Sequence, residues 1–216
     1  MGGNDKFMPI GVSLKDRRCM VVGGGLFALA EVENLMEYAA SITVVAPKVH
    51  EKLEFHAKRG SIAVDMREYR SPEAADYGLV VSASEDAALN EQVYEDARKA
   101  GVLVNVVDDL PHCDFIFPAV LRRDCLTASI STDGKASFVS GHLRVILDNI
   151  FPQHWERLMS LAASFQNRVE SRWAEDLDRK NACHSKFLEA DWKKMLEESS
   201  DEQIEDELTR MLEMQG

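Results

Sequence analysis

Between Arg18 and Glu31 the chain reads Arg-Cys-Met-Val-Val-Gly-Gly-Gly-Leu-Phe-Ala-Leu-Ala-Glu, and this passage restricts the fold more than any other. Cys19 to Val22 is a short apolar run of the kind that forms a fully buried strand, and three glycines follow at once. Apolar residues then recur at 28, 29, 32, 35, 36 and 39, a helical spacing, so a helix is predicted from near Leu26. Strand, glycine turn and helix give meaning to the G-x-G-x-x-A pattern of Gly23, Gly25 and Ala28, with Gly24 between the first two. Gly23 permits a tight turn, Gly25 lets the backbone approach a pyrophosphate, and Ala28 lets the helix pack close to the strand. The unpaired N–H groups of the first helical turn then face an anion. An ordinary glycine-rich turn has the same letters, but the strand before and the helix after favour dinucleotide binding.

The rest of the first half continues the alternation. Ile42 to Ala46 is a short β-branched strand broken by Pro47-Lys48, and residues 51–59 form a short helix. Ile62, Val64 and Met66 alternate as a half-buried edge strand. Leu79 to Ala83 and Val102 to Val107 are buried strands, separated by a helix over 88–100 that Gly101 stops. Strands alternating with helices predict an α/β fold with a doubly wound, Rossmann-type parallel sheet over about residues 10–112. The period then changes. Phe115 to Leu121 and Leu126 to Ser131 are strand-like with no helix between them, so they pair with each other or with a second copy of the chain. Val139, Leu143, Ile146 and Ile150 share a helical face. Pro152 opens a long helix with a stripe of Trp155, Leu158, Met159, Ala162, Phe165, Val169 and Trp173, read as core or dimer contact. From Lys186 to Met214 the periods are weak and the charge is high, so this tail is either a helical cap or partly mobile. The expected organisation is a binding domain over 1–113, a small strand-rich dimerisation segment over 114–150, and a helical domain with an acidic tail over 151–216.

Charge and cysteine usage narrow the partners. The net charge of −12 argues against nucleic acid. The stretch from Ala174 to Gly216 alone carries 13 acidic and 6 basic residues, so the acidity is mainly a property of the tail and an anionic small molecule is still admissible elsewhere. No run of roughly 18 apolar residues is present, so no membrane span is expected. Met1 to Lys6 lacks the basic start and apolar run of a signal peptide. Cys19, Cys113, Cys125 and Cys183 are scattered, as in a reduced cytoplasmic protein.

Three stretches are candidates for chemistry. Asn105-Val106-Val107-Asp108-Asp109 ends a strand at the edge where open α/β sheets bind ligands. A carboxylate at Asp108 can accept a proton while hydride leaves a neighbouring carbon; the alternative is an aspartate that caps a turn. The second strand ends in Ala46-Pro47-Lys48, without the acidic residue that commonly binds the ribose 2′-hydroxyl, so it does not by itself choose NAD, and Lys48 would tolerate a 2′-phosphate. Ser131-Thr132-Asp133-Gly134-Lys135-Ala136-Ser137 is a polar turn before a helix, either an anion site or a helix cap with solvated charges, with Arg122, Arg123, Lys135, His142 and Arg144 nearby in sequence. His112 and Cys113 are too few for a metal site, and none is expected.

In order, Gly23-Gly24-Gly25-x-x-Ala28, Ile42 to Pro47, Ala83-Ser84-Glu85-Asp86 with Asn90, Asn105-Val106-Val107-Asp108, Phe115 to Ala119 and Ser131-Thr132-x-Gly134 resemble the precorrin-2 dehydrogenases. These include the N-terminal module of siroheme synthase and the bifunctional dehydrogenase–ferrochelatases. The resemblance runs from about Met8 to Trp173, and the run from Asn105 to Pro118 is its most specific part. It implies a Rossmann domain that binds NAD, a homodimer made by the small strand-rich segment, and a helical domain completing a tetrapyrrole cleft. It places the catalytic aspartate on Asp108 and dinucleotide contacts on Leu26, Phe27, Pro47 and Lys48, beside the glycines and Ala83-Ser84. It makes Ser131, Thr132 and Gly134 part of a substrate site, to which charge logic adds Arg122, Arg123, His142 and Arg144 for a substrate with eight carboxylates. The implied reaction is NAD-dependent desaturation of precorrin-2 to sirohydrochlorin. The alternatives are an enzyme that also inserts Fe²⁺ and a catalytically weak binding partner. The latter is motivated by Ala30-Glu31 in the first helix, where the family usually has Arg-Lys, and by the acidic tail; the chain also has Asp133-Gly134 and Ala136-Ser137 where the family usually has Gly-Gly and Ser-Pro.

Overall fold

The computed structural model describes residues 6–38 and 41–213. It divides into two compact units, the first ending at Phe117 and the second starting at Pro118. In the first, β1 (Arg18–Val22), β2 (Ser41–Val45), β3 (Ala63–Asp65), β4 (Leu79–Ser82) and β5 (Leu103–Val106) form a parallel sheet in the order β3-β2-β1-β4-β5. Helices α1 (Leu26–Met36), α2 (Glu51–Lys58) and α3 (Ala87–Ala100) make the crossovers.

Strand alternation divides the core between two faces. Cys19 and Val21 of β1 pack with Ala28, Val32 and Leu35 of α1 and Leu53 of α2. Met20 and Val22 face the other way, against Val93 and Ala97 of α3. The central strands are buried on both faces, which is why they read as continuous apolar runs. Chain order reverses between β1 and β4, so the switch point lies where Val22 is in register with Ser82. The amide of Gly23 donates to Val45 O (3.0 Å), that of Ala83 to Val22 O (2.8 Å), and that of Val107 to Ser82 O (2.9 Å), which lock the carboxyl edge together. Asp86 caps α3 by accepting from Ala88 N and Leu89 N, and Gly101 ends it at φ 70°.

Two boundaries differ from expectation. The edge strand is only Ala63–Asp65, and Met66 lies beyond it, exposed. Phe115 and Phe117 are not in a strand; their rings meet edge-on (5.3 Å) and pack on the α1-side core, and the strand begins only after Pro118. Ala39, included in the α1 spacing, lies outside the described residues.

In the second unit β6 (Ala119–Arg123) and β7 (Leu126–Ile130) pair with each other as an antiparallel hairpin turned by Asp124-Cys125, with Asp124 at φ 51°. α4 (Ser137–Ile150) packs on this hairpin. The long helix is α5 (Trp155–Arg172), and its stripe is core, with Leu158, Phe165 and Val169 buried. The tail is more ordered than its weak periods suggest. It forms α6 (Leu177–Glu189), α7 (Trp192–Glu198) and α8 (Asp201–Glu213), which bury Cys183, Phe187, Trp192, Ile204, Leu208, Met211 and Leu212 against α5. Phe187 stacks on Phe165 (5.1 Å) and leans on Trp192 (4.4 Å), whose indole N–H donates to Phe187 O. Two tail acids pair with α5 cations, Asp201 with Arg157 and Glu205 with Arg168. Met214, the end of the stretch read as tail, lies outside the described residues. Among the described residues no helix is long and apolar enough to cross a membrane.

Candidate functional site

The candidate site begins at the β1–α1 turn, where each of the three glycines does something different. Gly23 has φ 126°, open only to glycine without strain, and a β-carbon there would stand 2.7 Å from the carbonyl carbon of Ala83. At Gly24 a β-carbon would overlap the carbonyl oxygen of Lys48, and the Gly24 carbonyl accepts from His50 N (2.7 Å). Gly24 therefore lets the β2–α2 loop rest on the glycine turn. A β-carbon on Gly25 would meet nothing within 4 Å. Gly25 is the N-cap of α1, with no side-chain cap and no acidic residue in the first turn, so the helix start is free to receive an anion. Leu26 and Phe27 beside it are 69% and 56% exposed, a large apolar surface for residues in a first helical turn. Pro47 and Lys48 are exposed at the end of β2. Open space at Gly25, an uncapped helix start and apolar side chains beside it fit a dinucleotide.

At the end of β4, Ala83 is buried and Ser84 half-buried. Asn90 of α3 folds this loop back: its carboxamide oxygen accepts from Ser82 Oγ–H (2.7 Å) and Ser84 N (3.3 Å), and its Nδ2 donates to Ser84 O (2.9 Å). The sequence motif contains Asn90 without revealing this role, because its partners lie in another element.

Asp108 follows β5 at the same carboxyl edge, exposed, at φ 61°. That left-handed conformation is uncommon for a residue with a side chain, although aspartate tolerates it better than most. The loop around it is heavily tied. Asp109 N donates to Val106 O (3.1 Å), Asp114 N to Val104 O (2.8 Å), and Asn105 Nδ2 to Phe115 O (2.9 Å). Cys113 Sγ lies 3.3 Å from Val106 O, and burial raises its thiol pKa, which makes it a structural thiol. Asp109 caps no backbone N–H with its carboxylate; instead Oδ2 lies 2.6 Å from His112 Nδ1. His112 is thus a partner of Asp109, a pairing that spacing alone does not separate from the metal-like His-Cys dipeptide. The first unit brings Gly23, Gly24, Gly25, Leu26, Phe27, Pro47, Lys48, Ala83, Ser84 and Asp108 to one edge of its sheet.

The second unit holds the remaining candidates. Thr132 to Lys135 is a type I′ turn closed by Lys135 N donating to Thr132 O (3.0 Å), with Asp133 at φ 52° and Gly134 at φ 73°. Aspartate suits the first of those positions, so the departure from Gly-Gly leaves the turn intact. Ser131 Oγ accepts from Asp133 N (3.0 Å) and Thr132 Oγ1 from Ala136 N (3.1 Å), so both hydroxyl oxygens shape the turn. His142 and Arg144 are exposed on α4, and Arg122 is exposed on β6. Arg123 is buried: it donates to Phe151 O (2.7 Å), Arg122 O (2.8 Å) and the Asp148 carboxylate (2.6 Å), which tie β6 to the end of α4. Those bonds give Arg123 a structural job between β6 and the end of α4.

The family model NAD_binding_7, described as NAD(P)-binding, matches residues 10–119. The siroheme synthase of Nitrosococcus oceani is 36% identical over 167 residues, which is 77% of this chain and 36% of that protein. That of Actinobacillus pleuropneumoniae is 31% identical over 199 residues, 92% of this chain and 41% of that protein. The chain therefore spans about two fifths or less of the length of these curated relatives. Among solved structures, SirC, a precorrin-2 dehydrogenase, superposes with a TM-score of 0.74 at 22% identity, covering 96% of this chain and all of that one, which is a likeness of fold. With an uncapped, glycine-opened helix at the switch point of its sheet and that family model over half of its length, the chain belongs to the NAD(P)-binding family, and it is similar to siroheme synthases over part of their length.

Proposed function

We propose that this chain is an NAD-dependent dehydrogenase that desaturates precorrin-2 to sirohydrochlorin, with Asp108 as the proton acceptor. The observation that carries this reading is the shared sheet edge. The open start of α1 and the left-handed Asp108 at the end of β5 both lie at the carboxyl end of one parallel sheet. When bound there, NAD supplies the acceptor for the hydride. The N–H groups at the start of α1 would hold its pyrophosphate, and Leu26, Phe27, Pro47 and Lys48 would be the side chains that contact it. The Asp108 carboxylate takes up the proton that leaves the macrocycle, so the substrate loses two hydrogens in all. For the carboxylates of such a substrate the second unit offers His142, Arg144 and Arg122. NAD rather than NADP is the cofactor in this reading, supported by the family motif at Pro47-Lys48.

The second unit supports a homodimer. Val139, Leu143, Ile146 and Ile150 of α4 are 36%, 40%, 42% and 55% exposed, and Ser140 is the one buried residue among the described residues of that helix. An apolar face of this kind marks an interaction surface. The four cysteines are unpaired, which fits a reducing cytoplasmic setting.

The test is an anaerobic absorption spectrum of the purified chain with precorrin-2 and NAD, with and without Fe²⁺. The reading expects NADH and sirohydrochlorin to appear together without iron, and a change of the macrocycle spectrum on adding Fe²⁺ would identify the bifunctional enzyme. Binding of both ligands with no NADH would favour the binding-partner reading instead.

A further inference from the structure

Asp108 holds a left-handed backbone, uncommon for a residue with a side chain although aspartate tolerates it better than most. The residue that follows is held at its amide, its carbonyl and its carboxylate. Asp109 donates through its amide to Val106 O, accepts at its carbonyl from His112 N (3.0 Å), and brings its carboxylate to His112 Nδ1. The other imidazole nitrogen, Nε2, lies 3.6 Å from the Glu91 carboxylate on α3. The ring stands edge-on to Tyr94, with centroids 4.4 Å apart. His112 is therefore the bracket between the Asp108 loop and α3, and α3 is itself fixed at both ends by Asp86 and Gly101.

We propose, on the reading of Asp108 as proton acceptor, that His112 is a positioning residue whose imidazolium, held between Asp109 and Glu91, fixes the loop that presents Asp108. The groups around it favour that charged form. Its own loop contributes Asp109, with Cys113 as a neutral thiol and Asp114 already paired to Arg98 (2.6 Å). Packed against it, α3 contributes Glu91, Glu95 and Tyr94, while Arg98 lies over the Tyr94 ring (6.0 Å) and is held by Asp114. The hydrogen bond to Asp109, then the charges of Asp109, Glu91 and Glu95, raise the imidazole pKa above its ordinary value.

The direction of the pH effect follows. Below its raised pKa His112 attracts both carboxylates. Above it, the hydrogen-bonded Nδ1 keeps its proton, Nε2 loses one, and the tie to Glu91 is lost. The loop then relaxes and Asp108 leaves its reactive geometry. Displacements of about 1 Å at a reacting group cost up to roughly 100-fold in rate. His112 touches no reacting atom in this scheme; it acts through the backbone of Asp109.

The test follows two signals. By NMR, the His112 ring should titrate above about pH 6.5, its ordinary range, and the amides of Asp108 and Asp109 should shift with the same midpoint. Glu91→Gln, at an exposed position on α3, should lower that midpoint. In turnover, kcat of the unmodified chain should fall as pH rises through the same midpoint. His112→Gln should lower kcat by roughly 10- to 100-fold, remove that alkaline limb, and leave the KM for NAD unchanged. His112→Lys, which stays charged, should move the limb to higher pH. Amides of Asp108 and Asp109 that ignore the His112 titration, or a His112→Gln enzyme with the original kcat and alkaline limb, would overturn the proposal. If the unmodified chain forms no NADH from precorrin-2, the dehydrogenase reading fails. The amide titration, which needs no substrate, still decides whether His112 holds the loop.

Discussion

A β-carbon on Gly24 would overlap the carbonyl oxygen of Lys48, whereas one on Gly25 would meet nothing within 4 Å. Adjacent glycines in one motif therefore serve different ends. Gly24 makes room for the protein's own backbone, and Gly25 leaves open space at the start of α1.

This contrast predicts opposite outcomes for two alanine substitutions. Gly24→Ala forces two backbone segments apart, at about 1–3 kcal/mol for overpacking, and should lower the melting temperature by roughly 2–4 °C per kcal/mol. Gly25→Ala should melt like the unmodified chain, since φ −84° at that position suits alanine, while its affinity for NAD drops. Thermal unfolding and calorimetric NAD titration of both variants check this. A Gly25→Ala protein with full NAD affinity would detach the open space at Gly25 from cofactor binding.

At the adenosine end, NAD should bind more tightly than NADP. The exposed Lys48 is a group able to welcome a 2′-phosphate, so the prediction follows the family motif against the local charge. Parallel calorimetric titrations with the two nucleotides decide it, and equal or tighter NADP binding would reverse the assignment.

Arg123→Met should cost stability and spare substrate affinity. It removes the bonds to Phe151 O and Asp148, and hydrogen bonds of a charged donor are worth about 1.5–3 kcal/mol each. Asp148 is half exposed and keeps access to water, so the loss should stay at the lower end of the range. Denaturant unfolding alongside KM for precorrin-2 separates the two roles, and a raised KM at unchanged stability would return Arg123 to the substrate site.

Assembly is tested through α4. The chain should sediment as a dimer at micromolar concentration, and Ile146→Glu, on the exposed apolar face, should convert it to a folded monomer. A monomeric unmodified chain would mean that α4 faces something other than a second copy.

The parallel sheet was legible because its signals are local. Strand, glycine turn and helix are contiguous from Arg18 to Met36, and buried runs such as Leu79 to Ser82 announce themselves by composition. The tail was legible as a helical cap or a partly mobile stretch, and its division into three packed helices was not. Their apolar residues, such as Phe187, Trp192 and Ile204, are sparse among charges, and they become a core only by converging on Phe165 and Val169 of α5. The site divides in the same way. Gly25 and Asp108 stand out from their positions next to strand ends, but the work of Arg123, Asn90 and His112 depends on partners 28, 8 and 21 residues away, namely Phe151, Ser82 and Glu91. Spacing within one element carries no trace of such pairs.

Asp108 is proposed above as the proton acceptor of an NAD-dependent desaturation. Its most direct test is the single-turnover rate of NADH formation from precorrin-2, under anaerobic conditions, for the unmodified chain and for Asp108→Asn, with NAD affinity and melting temperature measured on the same samples. A positioned general base contributes about 10²- to 10⁴-fold, so Asp108→Asn should lose that much rate while binding NAD and melting as before. An Asp108→Asn enzyme that forms NADH at the unmodified rate would contradict the account.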